Sequence, residues 1–390
     1  MRLLLITFFL AFTLVLLQSC KEDEQPTEVG PGPDPNGELA ILDTMKADEA
    51  AGTVKVMTRN IYIGTNVDVV LDAEIEDVPI LVATAFGFLE KTDIYTRATA
   101  LAKEIGRVKP HLVGLQEVTE IYIQSPSDFL DSQGNFIGNA EEANTLLYDY
   151  LDILLDALAA EDLNYEVASR IANANVELPM FVTFNNDGSF QFDDVRILDQ
   201  DVILARNDVQ TSKPKNDNYE AYLPVSEELG INVIRGYTSV EAKIGDGSYR
   251  FINTHLEAFD PTGQIRPAQA AELLAAFATE VAPIIMVGDF NSVAPSGTAY
   301  GMVIDALFTD VWDENTKSYS YNPNGYTFGH QADLANSSVK FVERIDFIFV
   351  RAPLATITYG PVVVFGDEIE EKVSGIFPSD HGGVVTLMKF

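Results

Sequence analysis

Residues 283–287, Pro-Ile-Ile-Met-Val, form an apolar run of strand length that ends in Gly288-Asp289-Phe290-Asn291-Ser292. A run without polar alternation reads as a strand buried on both faces. Such a strand needs other layers on each side of its sheet, which points to a mixed α/β chain with a large core. Gly288 gives the backbone freedom where the strand ends. Asp289 and Asn291 lie two apart, so in an extended chain they point the same way. A carboxylate and a carboxamide then sit side by side at the mouth of a buried sheet, where they can hold a water and an anionic oxygen together. The same residues are also ordinary turn chemistry, and the other strands decide between the two readings.

Those strands repeat the pattern. Residues 54–60 alternate and end at Asn60. Residues 111–118 are apolar up to Gln116-Glu117, and a buried Glu is costly unless it is paired or metal-bound. Structural pairing is one reading of Glu117 and ligation of a hard cation is the other. His111 precedes the apolar run and is expected at the surface. Residues 250–257 carry His255, one of only 4 His in the chain. Asp346 interrupts the apolar stretch 343–350, where a His partner would offset the cost of burying it. Asp380 and His381 precede a last strand at 384–388, and Gly382 and Gly383 allow close backbone approach. Helices are expected at 95–108, stopped by Pro110, at 141–160 and at 266–280. Short strands are expected at 165–168 and 201–206, with a hairpin or insert at 185–194. Residues 78–89 are apolar with Pro79 and Gly87 as breakers, and read as a core-packing element or a lipid-facing lid.

Charge narrows the partners. The chain has 25 Lys and Arg against 59 Asp and Glu, a formal charge of −34. A surface this acidic repels polyanions at long range, and nucleic-acid affinity rests largely on Lys and Arg. Lys213-Pro214-Lys215 is the densest basic cluster, and it reads as solvation, as do Lys103, Arg107 and Lys109. A bound cation can reverse the field locally, so a nucleic-acid partner stays open. At the N-terminus, Met1-Arg2 and an apolar run from Leu3 to Leu17 read as a secretory signal, too short for a comfortable membrane span. Cys20 is the only Cys, so no disulfide forms within the chain. Leu17-Gln18-Ser19-Cys20 resembles a bacterial lipoprotein box, which implies lipidation at Cys20. Lys21-Glu22-Asp23-Glu24 resembles the surface-export signal of Bacteroidetes-type lipoproteins. Residues 25–37, rich in Pro, Gly and acid, read as a disordered tether. The expected organisation is a signal at 1–19, a lipidated and tethered stretch at 20–52, and one domain at 53–390, anchored at the outer membrane or cell surface.

Taken in order, Arg59-Asn60, Leu115-Gln116-Glu117-Val118, Asn253-Thr254-His255-Leu256, Gly288-Asp289-Phe290-Asn291, Arg344-Ile345-Asp346-Phe347 and Ser379-Asp380-His381-Gly382 resemble the endonuclease/exonuclease/phosphatase superfamily. The resemblance runs from about Val54 to the C-terminus. It implies a deoxyribonuclease I-like fold, a four-layered α/β sandwich of two packed mixed β-sheets flanked by helices. It also implies metal-dependent hydrolysis of phosphoesters by in-line attack of water. The metal is expected to be Mg²⁺, with Mn²⁺ or Ca²⁺ as alternatives, held by Glu117 with Asn60 and Asp380. Asp289 would orient or deprotonate the water, Asn291 would bond the phosphate or that water, and Asp346 would fix the tautomer of His381. His381 would be base or phosphate contact, and His255 would bind a phosphoryl oxygen or assist the leaving group. Two departures stand out: the link at 61–92 and the region from 117 to 255 are longer than the family pattern. The expected substrate is a phospholipid, a sphingomyelin-like lipid or a small phosphoester, with no protein partner. An extracytoplasmic nuclease and a non-catalytic surface-binding lipoprotein are the other readings.

Overall fold

The structure, a computed structural model, describes Met45 and residues 52–390 except 72, 139–141, 227–230 and 315–321. The signal at 1–19, Cys20 and the tether at 25–37 lie outside the described residues.

Two mixed sheets carry the fold. The first runs β15(Thr358–Phe365)–β16(Gly383–Lys389)–β1(Thr53–Asn60)–β2(Leu112–Gln116)–β6(Phe190–Arg206)–β3(Glu120–Gln124)–β4(Thr145–Asp149), with β5(Tyr165–Phe184) paired to β6. The second runs β13(Thr309–Asp310)–β14(Asp346–Arg351)–β12(Ile284–Asp289)–β11(Gly247–His255)–β10(Gly236–Ile244)–β7(Gln210–Asn218). β1 and β2 are parallel, as are β11 and β12, whereas β12 and β14 are antiparallel.

The period-2 alternation of a strand sorts the side chains into layers. Val54, Val56, Leu112 and Ile203 of the first sheet meet Phe251, Ile285, Val287 and Ile348 of the second. Met57, Val113 and Leu115 face the other way, against helices α2(Ile94–Val108) and α3(Tyr150–Ala160). Ile284, Met286 and Phe347 pack outward on α4(Ile265–Ala276) and α5(Thr298–Asp305). The result is helix, sheet, sheet, helix, as the strand buried on both faces requires. Asn60, His255, Asp289 and Asp346 continue the inward-facing series and emerge at one end of the sandwich. Register fixes them in one row: His255 pairs with Asp289, and Asp289 with Asp346.

A cluster of polar contacts around Asn253 crosses the inter-sheet layer. Asn253 Nδ2 donates to the Leu115 carbonyl (2.8 Å) and the Val202 carbonyl (3.1 Å), and Gln116 Nε2 donates to Asn253 Oδ1 (2.6 Å). Gly114 makes room, because a Cβ there would lie 2.6 Å from Asn253 Oδ1 and 2.4 Å from Val287 Cγ2. Gly288 is required for a similar reason, since its Cβ would lie 2.0 Å from the Thr254 carbonyl oxygen.

Three local expectations are corrected, and the two open readings of residues 78–89 are decided in favour of core packing. Residues 145–149 form strand β4, not the start of a helix, because they pair with β3. The helix begins only at Tyr150, where the Asp149 carboxylate accepts from Asp152 N at 3.0 Å. The short strands near 165 and 201 belong to a hairpin of 20 and 17 residues, closed at Asn185–Ser189. Residues 78–91 form a helix, α1(Val78–Lys91), begun at Pro79 and packed on β3, β5 and β6 through Val78, Val82 and Leu89. His111 is buried, because its Nδ1 accepts the Lys55 N–H at 3.0 Å.

Burial, with Arg206 second, pushes the His111 imidazole down to about 4. A ring neutral in the folded state must charge on unfolding in acid, so its contribution is complete above its unfolded value of about 6.5 and is lost as pH falls toward 4. Relative to His111→Gln, wild type should therefore lose up to about 3 kcal/mol of unfolding free energy between those limits. Urea titrations of both proteins across that window measure it, and parallel curves would contradict it.

Candidate active site

Each site residue is delivered by a strand end or by the loop after one. Asn60 ends β1, His255 ends β11, Asp289 ends β12 and Asp346 begins the antiparallel β14. Glu117 follows β2 in a left-handed conformation, φ 60°, which non-glycine residues rarely adopt without tertiary support. That support is visible, since Ile63 N donates to Glu117 Oε2 at 2.8 Å and Asn60 Nδ2 donates to Glu117 Oε1 at 2.9 Å. Asn291 is also left-handed, φ 46°, and its own N–H donates to Asp289 Oδ1 at 2.9 Å.

Asp289 Oδ2 is the meeting point. Asn60 Nδ2 lies 3.1 Å from it, His255 Nε2 3.5 Å and His381 Nε2 3.6 Å. His381 Nδ1 lies 2.9 Å from Asp346 Oδ2. The expected Asp–His pair is therefore in contact. Asp380 is the neighbour of His381 in the loop before β16, and its charge acts on both His381 and Glu117. The eight residues singled out in the sequence thus gather at one end of the sandwich. Asn60 turns its amide N–H toward Glu117 and Asp289, while its Oδ1 accepts from Tyr62 N at 3.0 Å.

The electrostatics follow from crowding acids in a low-dielectric end. Burial, then the charge of Asp346, pushes Asp289 up to about 7 against the opposing pull of His381. Burial likewise raises Asp380 to about 7; His381 opposes this and Glu117 adds to it. Burial alone would lower His381, but Asp346, Asp289 and Asp380 outweigh it and push it up to about 10. His255 goes the other way, held well below its usual value by burial and by Arg235 and His381. The two imidazoles therefore differ: His381 is the cation and His255 is neutral. A donor faces each ring nitrogen of His255: Arg235 Nη1 lies 3.2 Å from Nδ1 and Asn291 Nδ2 lies 3.0 Å from Nε2. Asn291 Nδ2 also donates to the Leu256 carbonyl at 3.0 Å, and Asp289 Oδ2, 3.5 Å from Nε2, is the acceptor on that side of the ring.

Several residues that shape this end were not singled out. Arg59, fully buried, forks onto Glu104 at 3.0 and 3.1 Å and donates to the His381 carbonyl, tying the loop to α2. A charged residue facing away from the site in an alternating strand was its sequence signal. Asp199 and Asp201 lie on β6, buried, with the Asn173 carboxamide beside both. The signal for Asp201 was the one that marked Asp346, an acid against an apolar run. Arg235 precedes β10 with no such flank, and nothing in the sequence distinguished it.

Oxygen-rich, crowded carboxylates suit a hard divalent cation, which would relieve the repulsion that raises Asp289 and Asp380. Among the described residues, ligand-capable atoms of Asp289, Asp346 and His381 lie within 4.8 Å of one another. The His381–Asp346 hydrogen bond already satisfies that side. Glu117 and Asp380, whose charges act on each other, are the other acidic pair at this end that could hold a cation.

The model of the Endonuclease/Exonuclease/phosphatase family matches residues 87–381. No curated protein sequence matches the chain. Among solved structures, the chain is similar to an endonuclease/exonuclease/phosphatase family protein from Leptotrichia buccalis C-1013-b, at 15% identity and TM-score 0.50, covering 86% of this chain and 100% of that one. It is similar to a Bacteroides thetaiotaomicron member of the family at 15% identity and TM-score 0.50, covering 87% and 99%. It is also similar to a mannosyl-6-phosphatase of Bacteroides thetaiotaomicron VPI-5482 at 18% identity and TM-score 0.50, covering 86% and 100%. At these identities the likeness is one of fold.

If Asp346 is what keeps His381 charged, Asp346→Asn should lower the His381 imidazole by more than about one unit. Titration of the ring carbon resonances in metal-free protein reads this directly, and a value still near 10 would contradict it.

Proposed function

The chain belongs to the endonuclease/exonuclease/phosphatase family, whose members hydrolyse phosphoester bonds, and from that premise we propose that it is a Mg²⁺-dependent phosphodiesterase-type hydrolase working outside the cytoplasm. One observation carries the reading: a carboxylate at the end of a buried strand, Asp289, faces a charged His381 and a neutral His255 within 3.6 Å. Water activation, phosphoryl binding and leaving-group assistance need groups of these three kinds.

In the proposed mechanism Asp289 Oδ2 accepts the proton of the attacking water, held in line by the backbone bond from Asn291 N to Oδ1. Asn291 bonds the phosphate or that water. His381, kept cationic by Asp346, contacts a phosphoryl oxygen and does not act as base. His255 donates from Nε2 to the phosphoryl or leaving oxygen. Glu117 and Asp380 would hold the metal; Asn60 joins them as a ligand only after a half-turn of its carboxamide that gives up the Tyr62 bond. When bound, Mg²⁺ supplies charge neutralisation at the phosphoryl oxygens and at the leaving alkoxide.

Location and substrate rest on sequence. The signal-like start and Cys20 support a lipid-anchored protein at the outer membrane or cell surface. A charge of −34 favours a lipid or small phosphoester over a nucleic acid. A nuclease or a non-catalytic binding lipoprotein would each show itself in the same assay. The full chain is given bis-p-nitrophenyl phosphate, plasmid DNA and sphingomyelin with and without Mg²⁺. We expect Mg²⁺-dependent turnover of the first and third. Asp289→Asn and His381→Ala should each lower kcat by at least about 100-fold. Near-full turnover in His381→Ala would overturn the assignment, and silence on every substrate would favour the binding role.

A further inference from the structure

A cavity of about 130 Å³ lies directly beside the site. Its walls are hydrocarbon: Val82 and Phe86 from α1, Ile121 from β3, Val176 and Leu178 from β5, and Ile197 from β6. The same cavity reaches Asp199, Arg235 and Glu257 at a polar end. Arg235 Nη1 is 3.2 Å from His255 Nδ1 and 3.1 Å from Asp199 Oδ2, and its Nε is 3.5 Å from Glu257 Oε2. Ile63, also in the wall, holds Glu117 Oε2 through its backbone N–H at 2.8 Å. The cavity is therefore joined to the reacting groups through two direct contacts, one to His255 and one to Glu117.

We propose that this cavity holds the hydrocarbon substituent of the phosphoester, so that the enzyme selects alkyl phosphoesters over sugar and nucleotide phosphates. The proposal rests on the phosphoester-hydrolase reading above and adds to it the class of substrate. Three arguments carry it. The Arg235 guanidinium is ion-paired with Asp199 and Glu257, so the charge of the polar end is already balanced and the rest of the wall is hydrocarbon. A sugar or a base would bring several donors and acceptors into walls that cannot pair them, which disfavours both. Thr65 Oγ1 in the wall, like Asp199 Oδ1, Arg235 Nε and Glu257 Oε2 at the polar end, has no hydrogen-bond partner among the described residues, and it can serve one ester or hydroxyl oxygen. Size is the second argument: an apolar cavity of roughly 150 Å³ holds one benzene ring, so this one takes about four to six carbons. Third, the segment that builds the wall also exposes single apolar side chains, Val69, Ile75 and Ile80, at 49%, 53% and 53% exposure. Both walls come from the two stretches that are longer than the family pattern.

The test uses the full chain, Mg²⁺ and p-nitrophenyl alkyl phosphates from methyl to octyl, with p-nitrophenyl thymidine phosphate beside them. Each buried methylene should raise kcat/KM by about fourfold until the cavity is full, and the thymidine ester should do no better than the methyl ester. Ala85→Phe on α1 and Ala174→Phe on β5 fill the cavity from separate walls. In either variant the methyl ester should be turned over within about twofold of wild type while the hexyl advantage disappears. A flat series in wild type, or an advantage that survives both fillings, overturns the proposal. If no ester is turned over, the catalytic reading fails, and calorimetry with hexylphosphonate against methylphosphonate judges the cavity separately. Tighter hexyl binding that either filling abolishes supports it, and equal binding of the two overturns it. If one variant does not fold, the other carries the comparison. Hydrolysis of sphingomyelin vesicles with the same sensitivity to Ala85→Phe assigns the chain to a lipid, and hydrolysis of monomeric esters alone assigns it to a soluble alkyl ester.

Discussion

The site depends on one unfavourable arrangement: carboxylates crowded at the dry end of a sandwich with a single imidazolium among them. Asp289, Asp346 and Asp380 all act on His381, and Asp380 also feels Glu117. Left alone, such acids repel one another and lose hydration. The fold opposes this by hydrogen bonds from Asn60, from the Ile63 and Asn291 backbone, and from His381. The residual repulsion is what a divalent cation would relieve, and such a cation would in turn offset the charge of an anionic substrate.

The scaffold sets the geometry through strand alternation. Inward-facing positions of β1, β11 and β12 run from apolar residues to Asn60, His255 and Asp289, and those of the antiparallel β14 start at Asp346 and run on to Ile348 and Val350. The same pleat that builds the core therefore aims the chemistry. Asn253 and Gly114 fix how closely the two sheets approach, and Arg59 fixes the loop that carries His381. A change at any of these positions moves the site without touching it.

That alternation explains what could be read in advance. Asp289, Asp346 and Glu117 were conspicuous because a charge against an apolar run has few structural excuses. Their order along the chain then pointed to the fold. The long β5–β6 hairpin was not legible, because Asn173, Asn175 and Glu177 break the pattern in one strand and Asp193 and Asp194 in the other. Strand β4 was taken as helix because Leu146 and Leu147 fit either period and only pairing with β3 decides it. His111 looked like a surface residue because its burial comes from a backbone N–H on a strand more than fifty residues earlier. The cavity was invisible for the same reason, being assembled from four separate elements by tertiary contact.

We propose the acid cluster as a cation site that serves the phosphoester chemistry. Mg²⁺ titration of the full chain by calorimetry, beside Glu117→Gln and a surface control such as Glu166→Gln, tests it most directly. We expect saturable Mg²⁺ binding in wild type and in the control, and at least about tenfold weaker binding when Glu117 loses its charge. Binding that is absent in folded wild type, or equally tight in Glu117→Gln, would contradict it.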